Sequence, residues 1–64
     1  MMFVVELFYD GHRGYIEDGH AGYICTNINS ARKFDKLSAD YITTYGIGVI
    51  GYGSRYNYRL VKVT

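Results

Sequence analysis

Met2-Phe3-Val4-Val5-Glu6-Leu7-Phe8-Tyr9, followed at once by Asp10-Gly11, is the stretch from which the fold can be read outward. Alternation sets Phe3, Val5, Leu7 and Tyr9 on one face and Met2, Val4, Glu6 and Phe8 on the other. β-branched and aromatic residues dominate, so the pattern is that of a strand over Met2–Tyr9. Asp-Gly tolerates positive φ and favours a hairpin reversal, which makes Asp10-Gly11-His12-Arg13-Gly14 a turn. A second strand is expected around Gly14 to Glu17.

The segment that follows copies this one. Asp10-Gly11-His12-Arg13-Gly14-Tyr15-Ile16 returns eight residues later as Asp18-Gly19-His20-Ala21-Gly22-Tyr23-Ile24, with six of seven positions identical. Turn signals at that spacing predict an antiparallel meander, each repeat being a turn and a short strand. A third strand is therefore placed at about Gly22 to Cys25.

After Thr26 the period becomes helical. Thr26 or Asn27 is suited to cap a short helical turn whose face would be Ile28, Ala31 and Phe34. Asp35 is a second N-cap, for a helix over roughly Lys36 to Tyr45 with Leu37, Tyr41 and Tyr45 on one face, Ile42 beside them, and Lys36, Asp40 and Thr44 in water. Gly46 stands where a C′ residue ends a helix. Gly46-Ile47-Gly48-Val49-Ile50-Gly51-Tyr52-Gly53 reads as an irregular loop, since glycine weakens both helix and strand. Tyr56 to Val63 alternates as a last strand paired with the first. The expected class is α+β: one domain over residues 1–64, a small antiparallel sheet of three to four strands with one helix on one face, in the order β-β-β-α-β.

Length and composition limit what this domain can do. A chain of 64 residues buries only about 60% of the surface its unfolded form exposes. Small scaffolds offset this with disulfides, a metal or a partner subunit. Cys25 is the only cysteine, so no intrachain bridge can form and the chain reads as intracellular or otherwise reduced. Within Tyr-Ile-Cys it reads as a small buried hydrophobe. Glu6 interrupts the apolar N-terminus, which argues against a signal peptide. No stretch nears the roughly 18 apolar residues of a membrane span. With 7 basic and 6 acidic residues the net charge is +1, neither a phosphate-binding footprint nor a nucleic-acid mimic.

What departs from average is the aromatic content, 8 Tyr and 3 Phe with no Trp. Tyrosine loses little entropy when ordered, so a surplus points to a recognition or oligomer surface.

Asn27-Ile28-Asn29-Ser30-Ala31-Arg32-Lys33-Phe34-Asp35, between a Gly-Tyr strand and the Leu60-Val61-Lys62-Val63 terminus, resembles small phage and prophage accessory proteins of unknown function. In that family a short hairpin leads through an Ala-Arg-Lys-Phe turn into one helix and a terminal strand, with the Ala and Phe as apolar plugs under the sheet. The resemblance transfers no active site. It implies a protein acting in the cytoplasm of a bacterial host by contact with a host or defence protein, as an inhibitor.

Candidate chemistry is sparse. Gly46-Ile47-Gly48-Val49-Ile50-Gly51 matches the dinucleotide fingerprint in letters only. A helix precedes it and no Asp or Glu follows Asp40, whereas the fingerprint needs a preceding strand and a later acid. His12, His20 and Cys25 are ligand types, but successive meander turns lie at opposite ends of a sheet; only a dimer would bring the two histidines together. No metal or cofactor is expected. The acidic residues all have structural readings, and a pocket of about 300 Å³ is hard to enclose in so short a chain, so the expectation is not an enzyme.

The expected function is protein–protein contact, with a homodimer through a strand edge or tyrosine face. The partner-binding residues would be Ile47, Val49, Ile50 and Tyr52 of the glycine-rich loop with Arg55, Tyr56 and Tyr58 beyond it. Two alternatives are a single-stranded nucleic-acid module, in which Tyr52, Tyr56 and Tyr58 stack bases while Arg55 and Arg59 contact phosphates, and a dimer that sequesters a small ligand.

Overall fold

A computed structural model describes residues 1–19 and 22–63. β1 (Met2–Tyr9) is the spine of an antiparallel sheet whose other strands are β2 (His12–Ile16), β3 (Ile24–Cys25), β4 (Phe34–Asp35) and β5 (Asn57–Lys62); one helix, α1 (Lys36–Tyr45), precedes β5. The class is α+β, as the patterning predicts. β1 turns into β2 through Asp10 and Gly11 alone, with φ of +47° and +76°. Positive φ at both central residues is what a twist-matched two-residue hairpin requires. β2 thus begins at His12, two residues before the expected start, because the reversal needs only Asp-Gly.

The repeat yields the expected antiparallel meander, β1-β2-β3, but its glycines play different parts. Gly14 lies inside β2, where a Cβ would sit 2.5 Å from the Ile24 side chain and 3.1 Å from the Cys25 carbonyl oxygen. Gly22, its counterpart, has φ +83° and open space around it. The first glycine allows β3 to approach β2; the second supplies a turn conformation.

β5 pairs with β1 along Phe3–Phe8, while the other edge of β1 is shared. β2 occupies it from Glu6 to Tyr9 and β4 at Met2 and Phe3. Between them the chain wedges in, with a bridge from Ala31 to Glu17 and an Arg32 N–H donating to the Ile16 carbonyl at 2.8 Å. This wedge replaces most of the helical turn expected over Ile28–Phe34. Only Ile28–Ser30 is a 3-10 turn, capped by Asn27 as expected, while Ala31 and Phe34 are buried and Ile28 is not. Pairing with β2 and β1 satisfies more backbone than a second helical turn would.

α1 matches its predicted bounds. The Asp35 carboxylate accepts from the Ser38 N–H at 2.8 Å, and Gly46, at φ +85°, donates to the Ile42 carbonyl at 2.7 Å. Its inward residues, however, are Ala39 and Ile42. Leu37, Tyr41 and Tyr45, the expected packing face, are 80%, 55% and 65% exposed. Ala39 lets the helix approach closely, and Ile42 joins a core of Val5, Leu7, Ile16, Phe34, Ile47 and Tyr52.

The core explains why the helix turned this way. The segment after α1 folds into a 3-10 turn at Ile47–Ile50 that inserts Ile47 under the helix, closed by Gly51 at φ +94°. Tyr9, Tyr56 and Tyr58 pack on the same cluster, with Tyr52 at its heart. Four of the eight tyrosines thus fill interior space, and little is left for Leu37 or Tyr41.

The opposite face of β1 is buried as well. Val4 is fully buried and Glu6 is 3% exposed. Arg59 Nε and Nη2 donate to Glu6 Oε1 at 3.1 and 2.6 Å, the Tyr15 hydroxyl donates to Oε2 at 3.4 Å, and Arg13 Nε lies 3.6 Å from Oε2. Arg59 and Tyr15 are the cross-strand partners of Glu6 on β5 and β2, so register alone delivers both.

Gly14→Ala is expected to destabilise the protein by about 1–3 kcal/mol through overpacking, whereas Gly53→Ala, with open space and ordinary φ, should stay within about 0.5 kcal/mol. Urea denaturation of the two variants checks the contrast.

Hydrogen bonding from Ser38 holds the Asp35 carboxyl below its ordinary value. The stability it contributes is therefore present above the unfolded Asp value, about 3.9, and is lost as pH falls through the lower folded value. Thermal melts between pH 2 and 5 should show the wild type losing more midpoint than Asp35→Asn, which keeps a capping oxygen but cannot titrate.

Candidate functional site

The glycine-rich segment does not present its apolar residues outward. Ile47 and Tyr52 are buried at 4% and 6% exposure and Ile50 is half-buried. The Tyr52 hydroxyl donates to the Tyr23 carbonyl at 2.6 Å, tying this segment to the approach to β3, and burial pushes its pKa up. Tyr56 stacks edge-on against Tyr9 at 5.2 Å, while the Tyr58 hydroxyl donates to the Ile42 carbonyl at 3.3 Å. Of the seven residues the sequence singled out, only Val49 and Arg55 are exposed. Alternation with glycine concealed this: the glycines supply the turns that send Ile47 and Tyr52 inward.

The nucleic-acid arrangement is dispersed in the same way. Tyr58 shares the core face of β5 with Leu60, whereas Arg59 lies on the other face against Glu6. Arg55 stacks 5.1 Å from the Tyr56 ring centroid and donates to its hydroxyl at 3.0 Å. Arg55 and Tyr56 therefore lie together, whereas Arg59 and Tyr58 are on opposite faces.

Cys25 is half-buried, and its Sγ donates to the Asn27 carbonyl at 3.4 Å. Desolvation, with Glu17 nearby, raises the thiol pKa, the reverse of what a nucleophile needs. Among the described residues no three His, Cys, Asp or Glu side chains gather as a metal site. His12 is exposed, 6.0 Å from the Tyr9 ring. His20 lies outside the described residues, and with it the suggestion that the two histidine turns meet across a dimer. No helix among the described residues is long and apolar enough to cross a membrane.

What the structure does assemble is a surface on α1. The exposed rings of Tyr41 and Tyr45 lie 4.8 Å apart, one turn along from Leu37. Beside them runs an open groove of about 470 Å³, walled by Phe34, Leu37, Tyr41, Ile42 and Ile50 with Arg32 at its rim. Arg32 sits 5.2 Å over the Phe34 ring. Lys36 and Asp40 pair at 2.6 Å on the helix surface, leaving the stripe itself uncharged. A smaller hollow of about 270 Å³ lies between the glycine segment and Tyr56 and Tyr58.

The i, i+4, i+8 spacing of Leu37, Tyr41 and Tyr45 was visible in the sequence. Its direction was not. No protein-family model matches the chain, and neither a curated protein nor a solved structure is significantly similar to it.

Tyr52→Phe is expected to cost about 1 kcal/mol for the lost hydrogen bond and Tyr52→Ala about 3–5 kcal/mol for the cavity, while Val49→Ala stays within about 0.5 kcal/mol. Chemical denaturation of the three variants separates a core role for this segment from a surface role.

Proposed function

We propose that this protein is a binding module that works by protein–protein contact, through the exposed face of α1 rather than through the glycine-rich segment, and that it is not an enzyme. The observation that carries the reading is the uncharged stripe of Leu37, Tyr41 and Tyr45 bordering an apolar groove. Large apolar side chains held on a rigid helix lose little entropy on contact, and an aromatic stripe beside a pocket is the usual composition of an interface centre. A helix of ten residues with both ends capped offers that surface already ordered.

The more particular form of the reading, an inhibitor of a host or bacterial defence protein acting in the cytoplasm, rests on the sequence resemblance to small phage accessory proteins. The nucleic-acid alternative loses support from the separation of Arg59 from the tyrosines.

Tagged protein recovered from the cells that produce it should retain a protein partner, whether another species or an untagged copy of itself. The Leu37→Lys, Tyr41→Lys double variant should lose that partner by at least tenfold, and Lys62→Ala should keep it. Retention by the double variant overturns the assignment. So does salt-sensitive binding of a single-stranded oligonucleotide by the purified wild type, which the protein-contact reading does not require.

A further inference from the structure

We infer that the occupant of the α1 face is a second copy of this chain, bound about a two-fold axis that passes beside Tyr41 with the two α1 helices antiparallel. This inference rests on the protein-contact reading above and names its partner.

The first ground is self-complementarity. A two-fold contact requires each patch to match itself. Leu37 and Tyr45 are equidistant in sequence from Tyr41, so an antiparallel pair centred there sets Leu37 against the second copy's Tyr45 at both ends. Each Tyr45 ring then faces the groove walled by Phe34, Leu37 and Ile50, a hollow with ample room for a phenol ring.

The second ground is charge. Like charges meet across a two-fold axis; the stripe at this one is neutral, and Asp40 beside Tyr41 is already paired with Lys36 of its own helix. Around the ends, Asp35 caps the N-terminus of α1, but basic residues outnumber it there and the C-terminal turn has no cation of its own. Arg32, Lys33 and Lys36 cluster at its N-terminal end, its first turn contains no acidic residue, and its last turn contains no basic one. Helix C-termini favour cations. Antiparallel pairing brings Arg32 of each copy to the C-terminal end and Tyr45 ring of the other, where both the dipole and the ring face attract it.

The third ground is area. With aromatic side chains burying about 150–250 Å² each, the exposed fractions of Leu37, Tyr41 and Tyr45 with the groove walls come to at most roughly 500 Å² per copy. Two copies then bury at most about 1,000 Å², the lower limit for a specific contact. The dimer should therefore be concentration-dependent, and a domain this small with one cysteine stands to gain stability from it.

Sedimentation equilibrium of the full chain, across a series from micromolar to millimolar, tests the inference. The mass should rise from 7.3 kDa towards twice that value. Tyr45→Lys, which sets a second cation beside Arg32, should weaken association at least tenfold while circular dichroism and the melting curve stay those of the monomeric wild type. In a Cys25→Ser background, Tyr41→Cys should form a disulfide-linked dimer on mild oxidation and Leu37→Cys should not. Helices packed 8–10 Å apart bring facing Cα atoms within disulfide reach only at the axis.

A wild type that is monomeric throughout overturns the dimer but leaves the protein-contact reading standing, with its face free for another protein. A dimer indifferent to Tyr45→Lys overturns the assignment of self-association to α1 and directs attention to the outer edge of β5, while the protein-contact reading is decided by the Leu37→Lys, Tyr41→Lys variant. Cross-linking at Leu37→Cys but not Tyr41→Cys overturns the register.

Discussion

The Glu6 carboxyl group is buried at the centre of the sheet, and the arrangement of the chain ends depends on how it is satisfied. A buried carboxylate is tolerated only when paired and hydrogen-bonded. Here Arg59 on the last strand, Tyr15 on the second and Arg13 beside it all converge on one side chain of the first. The two arginine side chains remain about two-thirds exposed, so each guanidinium contacts Glu6 on one side and meets water on the other. A shift of β5 by one residue would carry Arg59 to the opposite face and leave Glu6 without its strongest partner. The network therefore specifies register as well as covering polar surface.

With that register set, the opposite face of β1 presents Val5 and Leu7 to α1, and the core forms from what the chain can reach. A protein without tryptophan or proline and with three phenylalanines fills much of this space with tyrosine. Tyr52 and Tyr58 each end on a backbone carbonyl, of Tyr23 and Ile42, so the polar tips are satisfied while the rings pack. These rings, with Ile47, occupy the volume beneath α1. The helix then settles on Ala39 and Ile42 and turns its larger apolar residues outward.

That outward turn links folding to function. A helix that buries its bulky stripe is an ordinary structural element; one that buries Ala39 and Ile42 while exposing Leu37, Tyr41 and Tyr45 offers a second, unused apolar face. The groove beside it exists because Phe34 and Ile50 come from segments on either side of α1 in sequence and flank it in space. The contact surface proposed for this protein, rigid side chains over a preformed hollow, follows from the same packing that stabilises the core.

Local chemistry in the sequence determined the elements themselves. Strict alternation placed β1, Asp10-Gly11 its hairpin, Asp35 and Gly46 the two ends of α1, and renewed alternation the last strand, because each depends on neighbouring residues alone. The near-perfect repeat of Asp-Gly-His-x-Gly-Tyr-Ile placed the β1-β2-β3 meander but not the different roles of its glycines. Gly14 is constrained by Ile24 and Cys25 across the sheet, a contact no local pattern records. Which face of α1 is buried, whether Ile47 and Tyr52 point in or out, and which strand face carries Arg59 away from Tyr58 were decided only by tertiary structure. An amphipathic or glycine-punctuated segment has more than one apolar side, and competition for a finite core volume settles which one is used.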